Sequence, residues 1–358
     1  MSYGALVLVV LAVTVMWARP FYNWDMLPYI GVAYEFGGAS PREAHTLTYE
    51  AVRRAVDERV YRSLIEGSDY RAIIATDERA FAQQLPMYRV KVLYPWLIHW
   101  LERAGMNPAR ASVGISRVAY VALGLIVFTW LSLFLSPIGA FLVASITMSF
   151  SFVVQLAQFS TPDALSTWIV ITALFLLFER GRVRSGAVLL GLSVLVRPDN
   201  LVWLVAAAVS AWYWRSSARA AVGWAAIAGM IVCVALIGWA GSPAWPTYFY
   251  HTFIQRLPFP AAHRSSLSLW DYLRVYLRQA HPANLPPFLL VFVLAGLGLA
   301  LVQREQTSSL DSSRILLLTS LLFAGAHWVI YPNEERFLVP FYLVVTLVAV
   351  RSFTSEET

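Results

Sequence analysis

The sequence predicts an all-α polytopic membrane protein, built as a bundle of about eight to ten transmembrane helices. Three observations carry this prediction: 58% of the 358 residues are hydrophobic, only 13% are charged, and long apolar windows recur along the chain. A soluble domain of this length cannot bury so much apolar surface, so lipid must cover part of it. We therefore expect a single transmembrane domain over residues 1–358.

The apolar windows give the order of the predicted passes. A spanning helix needs roughly 17 to 25 residues, and we place windows at about 3–18, 113–135, 138–158, 162–179, 218–240, 286–302, 315–331 and 336–350. A further apolar segment, 186–214, is interrupted by Arg197-Pro198-Asp199-Asn200. Its arms of about a dozen residues rise 1.5 Å per residue and cannot each cross about 30 Å, which predicts a re-entrant or short helical hairpin.

Arginines in the short loops predict the orientation. They fall on one side if each window crosses once and the hairpin returns to its starting face; they are Arg180, Arg182, Arg184, Arg215, Arg219, Arg304, Arg314 and Arg351. The positive-inside rule makes that side cytoplasmic. Both termini are then cytoplasmic, and residues 19–112 and 242–285 form two external loops.

The first external loop is expected to hold interfacial helices. Apolar positions at helical spacing, with basic residues between them, predict one amphipathic helix over 41–65. Residues 93–101 are too few to span but apolar enough to enter the lipid surface.

Charge and metal-ligand patterns exclude several function classes. The formal charge of +6 rests on arginine and a single lysine, which suits membrane lipids rather than nucleic acid as partners. Cys233 is the only cysteine and lies in an apolar run. The histidines lack ligand spacing, and no Gly-rich phosphate loop or HExxH is present, so we predict neither a metal nor a cofactor.

The first loop supplies two of four polar clusters that this topology sends to the external face. Asp25 lies between aromatic residues just beyond the first helix, which suits a helix cap, an ordinary loop carboxylate or a partly desolvated catalytic carboxylate. Arg89 and Lys91 come late in the loop. They are placed either to hold a phosphate by charge-assisted hydrogen bonds or to touch lipid headgroups.

The third cluster combines a helix start with the hairpin apex. Ser160 or Thr161 is expected to cap a helix that opens near Asp163, whose charge favours the positive end of the helix dipole. Arg197 at membrane depth needs a carboxylate, a water-filled cavity or an anionic ligand. Asp199 is one candidate partner, in a purely structural ion pair.

The fourth cluster is a predicted external turn over 327–340 that joins two hydrophobic helices. Such a turn needs only polarity, which Asn, Pro and Glu supply. Arg336 is the additional feature, and its alternatives are an anion ligand or an arginine that snorkels to the interface.

Together these motifs resemble the GT-C superfamily of membrane glycosyltransferases. The resemblance covers most of the chain and rests on an uncleaved first helix, amphipathic helices in the first external loop, Trp24-Asp25, Tyr88-Arg89 followed by Leu93-Tyr94-Pro95, the Arg197-Pro198 break, and Glu335-Arg336-Phe337-Leu338-Val339-Pro340. It implies transfer of a sugar from a polyprenyl-phosphate donor to a lipid, glycan or protein acceptor. The expected place is the external, periplasmic face of a bacterial inner membrane.

The resemblance also implies roles for single residues. Asp25 is expected to act as the general base, or to orient the acceptor hydroxyl, in an inverting reaction. Arg336 is expected to bind the donor phosphate, with Arg89, Lys91 and Arg197 as further phosphate ligands. The remaining side chains expected at the substrate are Tyr29, Glu35, His45, Asp163, Asp199, His327 and Glu335. A lone Asp25, rather than two adjacent carboxylates or Asp-x-Asp, favours a metal-independent reaction.

Three other functions stay open. A related polymerase or ligase would move a whole glycan. A transporter or flippase would need a midplane site between inverted repeats, of which only one broken hairpin is visible. A structural membrane subunit would leave Arg197 unexplained. Glycosyl transfer predicts that Asp25, Arg197 and Arg336 converge on one cavity.

Overall fold

The computed structural model describes residues 2–263, 266–281, 285–286, 288–302, 311–330 and 335–354. Within these ranges the chain is helical and contains no β-strand. The helices are α1 Tyr3–Trp17, α2 Met26–Phe36, α3 Pro41–Ala55, α4 Glu58–Glu66, α5 Asp69–Thr76, α6 Glu78–Arg89, α7 Leu93–Arg103, α8 Pro108–Leu131, α9 Pro137–Ser149, α10 Ser151–Gln158, α11 Asp163–Leu174, α12 Val183–Val196, α13 Leu201–Tyr213, α14 Arg219–Ala240, α15 Trp245–Phe249, α16 Leu269–Gln279, α17 Leu289–Val302, α18 Asp311–Ile330 and α19 Val339–Thr354.

The long apolar helices make this a helical membrane protein. Four helices in the described part of the chain are long and apolar enough to cross a bilayer, and they are Pro108–Leu131, Arg219–Ala240, Ser312–Ile330 and Glu335–Thr354. The α9 and α10 pair, bent by 69°, makes a fifth if it is one span. Two of the predicted windows form apolar helices of 10–17 residues, Tyr3–Trp17 and Leu289–Leu301, and so does the first arm of the 186–214 segment, Val183–Val196. The described chain therefore has fewer full-length spans than the sequence predicts, because several windows fold as shorter helices.

The first loop folds as six helices, α2 to α7. The prediction of one continuous helix over 41–65 is wrong, because Asp57 starts a new helix by accepting a hydrogen bond from the backbone N–H of Val60. The prediction for 93–101 is confirmed in its helical part by α7, whose Trp96 and Trp100 are exposed.

A close approach of α2 and α6 sets the geometry of the loop. A Cβ atom at Gly31 of α2 would lie 2.7 Å from Phe81 and 2.9 Å from Leu85, both on α6. A larger residue at position 31 would push the two helices apart. Their contact brings the start of α2, next to Asp25, close to Tyr88 at the end of α6.

The predicted break in the 186–214 segment is confirmed. Arg197 is extended, a 3-10 turn follows over Pro198–Asn200, and α12 and α13 form the two arms. The Asn200 side chain donates to the backbone carbonyl of Ser193 at 2.9 Å and to the Ser166 hydroxyl at 2.8 Å, which ties the break to α11. Return of the two arms to one membrane face stays a prediction.

Helices α11 and α19 both run away from this break. The far end of α11 continues in a π turn to Glu179, which forms an ion pair at 2.5 Å with Arg351 in the last turn of α19. At the other end, α11 begins at Asp163 and α19 begins just after Arg336, and the side chains of Asp163 and Arg336 lie 3.5 Å apart. Arg304 and the turn residues 331–334 lie outside the described residues, and which side faces the cytoplasm stays a prediction.

Candidate active site

One cavity of about 990 Å³ lies between the first loop and the helix bundle. We call one set of its lining residues the polar cluster: Asp25, Lys91, Asp163, Arg197, Asp199 and Arg336. We call another set the apolar wall, from α13, α14 and α18: Leu201, Val202, Val205, Ala206, Val209, Cys233, Ile237, Leu322, Ala326 and Ile330. The expected convergence of Asp25, Arg197 and Arg336 on one cavity is thus observed.

Arg336 connects two carboxylates of the polar cluster. Its guanidinium nitrogens lie 3.8 Å from Oδ2 of Asp25 and 3.5 Å from Oδ2 of Asp163. Both distances exceed the roughly 2.7–2.9 Å of a charge-assisted hydrogen bond. The guanidinium also lies 5.4 Å from the ring centre of Phe159 and 5.0 Å from that of Phe337. Arg336 is 11% exposed, so it does not snorkel to a lipid surface as the alternative reading supposed.

Arg197 is held from both sides by acidic groups. It donates to Asp163 and makes two hydrogen bonds to Asp199, at 3.0 and 2.8 Å. His327 lies behind Asp199, with Nε2 3.2 Å from the carboxylate, and does not line the cavity. The ion pair between Arg197 and Asp199 is therefore present, and Asp163 provides a second counter-charge for a guanidinium buried at depth.

Asp25 differs from the other two carboxylates in its surroundings. It occupies the capping position of α2, but its side chain makes no capping hydrogen bond, so the interpretation of its carboxylate as a helix cap is wrong. Its Oδ1 instead accepts a hydrogen bond of 2.8 Å from the hydroxyl of Tyr88. The Asp25 side chain is 31% exposed, against 3% for Asp163.

The predicted caps of α11 are also wrong. Pro162 occupies the capping position, and no side chain caps the helix. The Thr161 hydroxyl donates to Asp163 at 2.6 Å, and the Ser160 hydroxyl accepts from the backbone N–H of Asn23 at 2.9 Å. Neither side chain therefore caps α11. Thr161 contacts Asp163, and Ser160 contacts the segment that follows α1.

Lys91 sits in an aromatic pocket beside the carboxylates. Its Nζ donates to the Tyr29 hydroxyl at 2.6 Å and lies 5.2 and 5.3 Å from the ring centres of Tyr29 and Tyr88. Burial, and then the charge of Arg197, lower the pKa of Lys91 to about 8, while the charge of Asp25 acts in the opposite direction. Lys91 is thus a cation that titrates near physiological pH.

Several residues expected at the substrate lie elsewhere. Arg89 donates hydrogen bonds of 2.7 to 3.1 Å to Glu35 and one of 2.9 Å to the carbonyl of Ala240. These bonds connect α6 to α2 and to the end of α14. Nε2 of His45 lies 3.2 Å from the carbonyl of Ile74. None of these side chains, nor Glu335, lines the cavity.

Other lining residues were not singled out from the sequence. Tyr88 and Phe337 belong to the quoted motifs but carried no assigned role. A further polar group comes from α5 and the segment after α15: Ser68, Tyr70, Arg71, His251, Thr252 and Arg256. No sequence motif marks these six residues, because two distant segments bring them together.

Comparison with known protein families, curated proteins and solved structures finds no match to this chain. Among the described residues, no group of three or more His, Cys, Asp or Glu side chains is arranged to hold a metal ion.

Proposed function

We propose that this protein is a GT-C-type membrane glycosyltransferase that transfers a sugar from a polyprenyl-phosphate donor to a hydroxyl acceptor, at the external face of a bacterial inner membrane. The observation that carries the proposal is the cavity of about 990 Å³, which joins the polar cluster to the apolar wall. A prenyl-phosphate sugar has the same division into a charged head and an apolar chain. The prenyl chain would pack against the apolar wall, and the phosphate would pair with the buried cations of the polar cluster.

Asp25 is the best base among the three carboxylates of the polar cluster. Asp163 is 3% exposed and is occupied by Arg197 and Thr161. Asp199 is occupied by Arg197 and His327. Asp25 is the most exposed of the three, and its Oδ2 makes a loose 3.8 Å contact with Arg336.

The proposed reaction is a single displacement with inversion. The acceptor oxygen bonds to C1 of the sugar from one face while the bond from C1 to the phosphate oxygen breaks on the other. The acceptor proton passes to Asp25, and the bonding electron pair leaves with the phosphate. A positioned carboxylate and cations aimed at the leaving group both stabilise this transition state.

Arg336, Lys91 and Arg197 have different parts in holding the phosphate. Arg336 makes contacts of 3.5 and 3.8 Å to carboxylates, which a phosphate oxygen can replace with shorter ones. Lys91 adds a point charge from the aromatic pocket. Arg197 is already held by two carboxylates, so it fixes the position of Asp163 and acts on the phosphate through its electric field.

The substitution Asp25→Asn tests the proposal. Purified full-length protein is assayed in liposomes with a radiolabelled polyprenyl-phosphate sugar. Loss of a general base typically costs about 10²–10⁴-fold in rate, and we expect a loss in that range with normal expression and melting temperature. The matched control is Asp57→Asn, at an exposed helix cap where Asn serves as well as Asp.

Three outcomes would contradict the proposal. An active, normally expressed Asp25→Asn variant would remove the role of the base. Consumption of a large pyrophosphate-linked glycan, rather than a single sugar phosphate, would favour the polymerase or ligase. Movement of the lipid-linked substrate across the bilayer without covalent change would favour the transporter.

A further inference from the structure

The cavity has a second polar region that the proposed donor site does not use. We call it the outer subsite, formed by Ser68, Tyr70, Arg71, His251, Thr252 and Arg256. Its first three residues lie at the start of α5, and the others follow α15. The Tyr70 ring joins the two segments, because its centre lies 5.0 Å from that of Trp24 and 5.7 Å from that of His251.

The outer subsite adds positive charge to the cavity. Five lysine or arginine side chains and three carboxylates line the cavity among the described residues. All three carboxylates belong to the polar cluster, together with three of the five cations. The remaining two cations, Arg71 and Arg256, lie in the outer subsite, where none of the described lining residues is acidic. Among the described lining residues, the cavity therefore carries an excess of positive charge, located at this end.

Arg71 keeps its charge available to a ligand. One of its Nη atoms donates to the backbone carbonyl of Ser63 at 2.8 Å, which orients the guanidinium without neutralising it. Among the described residues, no carboxylate forms an ion pair with Arg71. An oriented, charged guanidinium is the side chain best matched to a carboxylate or a phosphate.

His251 supplies a neutral donor in the same region. Its Nδ1 accepts a hydrogen bond of 3.0 Å from the backbone N–H of Leu257, so in the neutral ring the proton is on Nε2. Burial, and then the charge of Arg256, lower the pKa of His251 to about 4, so the ring is neutral at physiological pH.

Asp25 is close both to the outer subsite and to the proposed donor site. On one side, Arg336 is 3.8 Å from its carboxylate. On the other side, the neighbouring Trp24 packs on Tyr70, and the charge of Asp25 acts on both Tyr70 and His251. A molecule held in the outer subsite thus shares one cavity with Asp25, the proposed base for its hydroxyl.

We propose that the outer subsite binds an anionic acceptor, a sugar unit that carries a phosphate or carboxylate group beside the hydroxyl to be glycosylated. Arg71 and Arg256 bind the anion, and the Ser68 and Thr252 hydroxyls with the His251 N–H bind neighbouring oxygens. The inference rests on the proposed function, since it takes Asp25 as the base and Arg336 as a donor ligand.

The test compares binding of a charged and a neutral sugar to the full-length protein in phosphatidylcholine nanodiscs. Farnesyl phosphate first saturates the donor site, and glucose 6-phosphate or glucose is then titrated by calorimetry. Hydrogen bonds to charged groups contribute about 1.5–3 kcal/mol, so we expect glucose 6-phosphate to bind at least about tenfold more tightly than glucose. Raising the salt concentration should reduce this preference.

Paired variants assign the preference to the outer subsite. The double substitution Arg71→Gln with Arg256→Gln should abolish it, and Arg71→Lys with Arg256→Lys should keep part of it. The matched control is Arg59→Gln with Arg79→Gln, because both are exposed arginines of the same loop that do not line the cavity. The control should bind like the unsubstituted protein, and all variants should keep its melting temperature.

The proposal is overturned if glucose binds as tightly as glucose 6-phosphate, or if the Arg71→Gln and Arg256→Gln protein keeps the preference. It is also overturned if Arg336→Gln, rather than the pair, removes the preference, because the probe then occupies the donor site. Binding needs no turnover, so the two proposals fail separately. An inactive protein that keeps the charge preference counts against glycosyl transfer, and an active protein without it counts against the outer subsite.

Discussion

Lys91 should give sugar transfer a specific dependence on pH. The pKa of Lys91 is about 8, because burial disfavours its charged form. The cation is present below that pH and is lost as the pH rises through it. The protonated fraction falls from about nine tenths at pH 7 to about one tenth at pH 9. If the charged form is needed to bind the donor phosphate, kcat/KM for the donor falls about tenfold over this range, since kcat/KM reports the free enzyme.

The neighbouring tyrosines and arginines do not titrate between pH 7 and 9, so they do not obscure the titration of Lys91. Burial holds the pKa of Tyr29 and of Tyr88 well above the usual range, so both phenols stay protonated up to pH 9. Arg197 and Arg336 remain charged throughout. The pH profile of the unsubstituted protein should therefore report the ammonium of Lys91.

Two variants check the assignment. Lys91→Arg keeps a charge that does not titrate, so its activity should be flat between pH 7 and 9. Lys91→Met should be equally flat but about 10- to 100-fold less active at pH 7, which corresponds to a charged hydrogen bond of about 1.5–3 kcal/mol. Initial rates at subsaturating donor, in liposomes buffered at each pH, measure both. A Lys91→Met protein that shows the same tenfold fall as the parent would refute the reasoning.

Two further predictions concern stability and the prenyl chain. Arg89→Met should lower the free energy of unfolding by about 2 kcal/mol, because it leaves Glu35 without its partly buried partner, and adding Glu35→Met should recover most of the loss. Melting temperatures in detergent measure both effects. Loss of transfer at an unchanged melting temperature would instead place Arg89 at the substrate. Cys233, the only cysteine, lies on the apolar wall, so farnesyl phosphate should slow its labelling by N-ethylmaleimide several-fold. Equal labelling rates with and without farnesyl phosphate would exclude this wall as the binding site of the prenyl chain.

The sequence was informative where chemistry constrains a residue strongly. An arginine in the middle of an apolar segment must meet counter-charge or water, so the sequence alone predicts partners for Arg197. A proline and two polar residues after it predicted the break between α12 and α13. The topology assigned all polar clusters to one face, and the glycosyl-transfer hypothesis added that Arg197, Asp25 and Arg336 converge on one cavity. Each of these inferences depends on the cost of placing polar groups in lipid.

The sequence could not tell which cations of the first loop face the cavity. Tyr88 and Arg89 are neighbours in α6, and successive helical residues point about 100° apart. The structure turns Tyr88 to Asp25 and Arg89 to Glu35. That rotation depends on the packing of α6 against α2, where Phe81 and Leu85 meet Gly31. No local pattern in the sequence records it, and the same is true of Arg71 and His251, which meet across distant segments.

The charge balance of the polar cluster fits the proposed reaction. Three carboxylates and three cations leave it neutral before a donor binds. A sugar phosphodiester brings one negative charge, and the freed prenyl phosphate carries about −1.5 to −2. During transfer the added charge on the phosphate is matched by the proton that Asp25 gains, so the total charge of site and substrates stays constant. The negative charge moves from Asp25 to the phosphate, and Arg336, 3.8 Å from Asp25, is the cation adjacent to where it starts. A buried network that keeps its total charge needs little reorganisation, which is the condition under which fixed charges stabilise a transition state best.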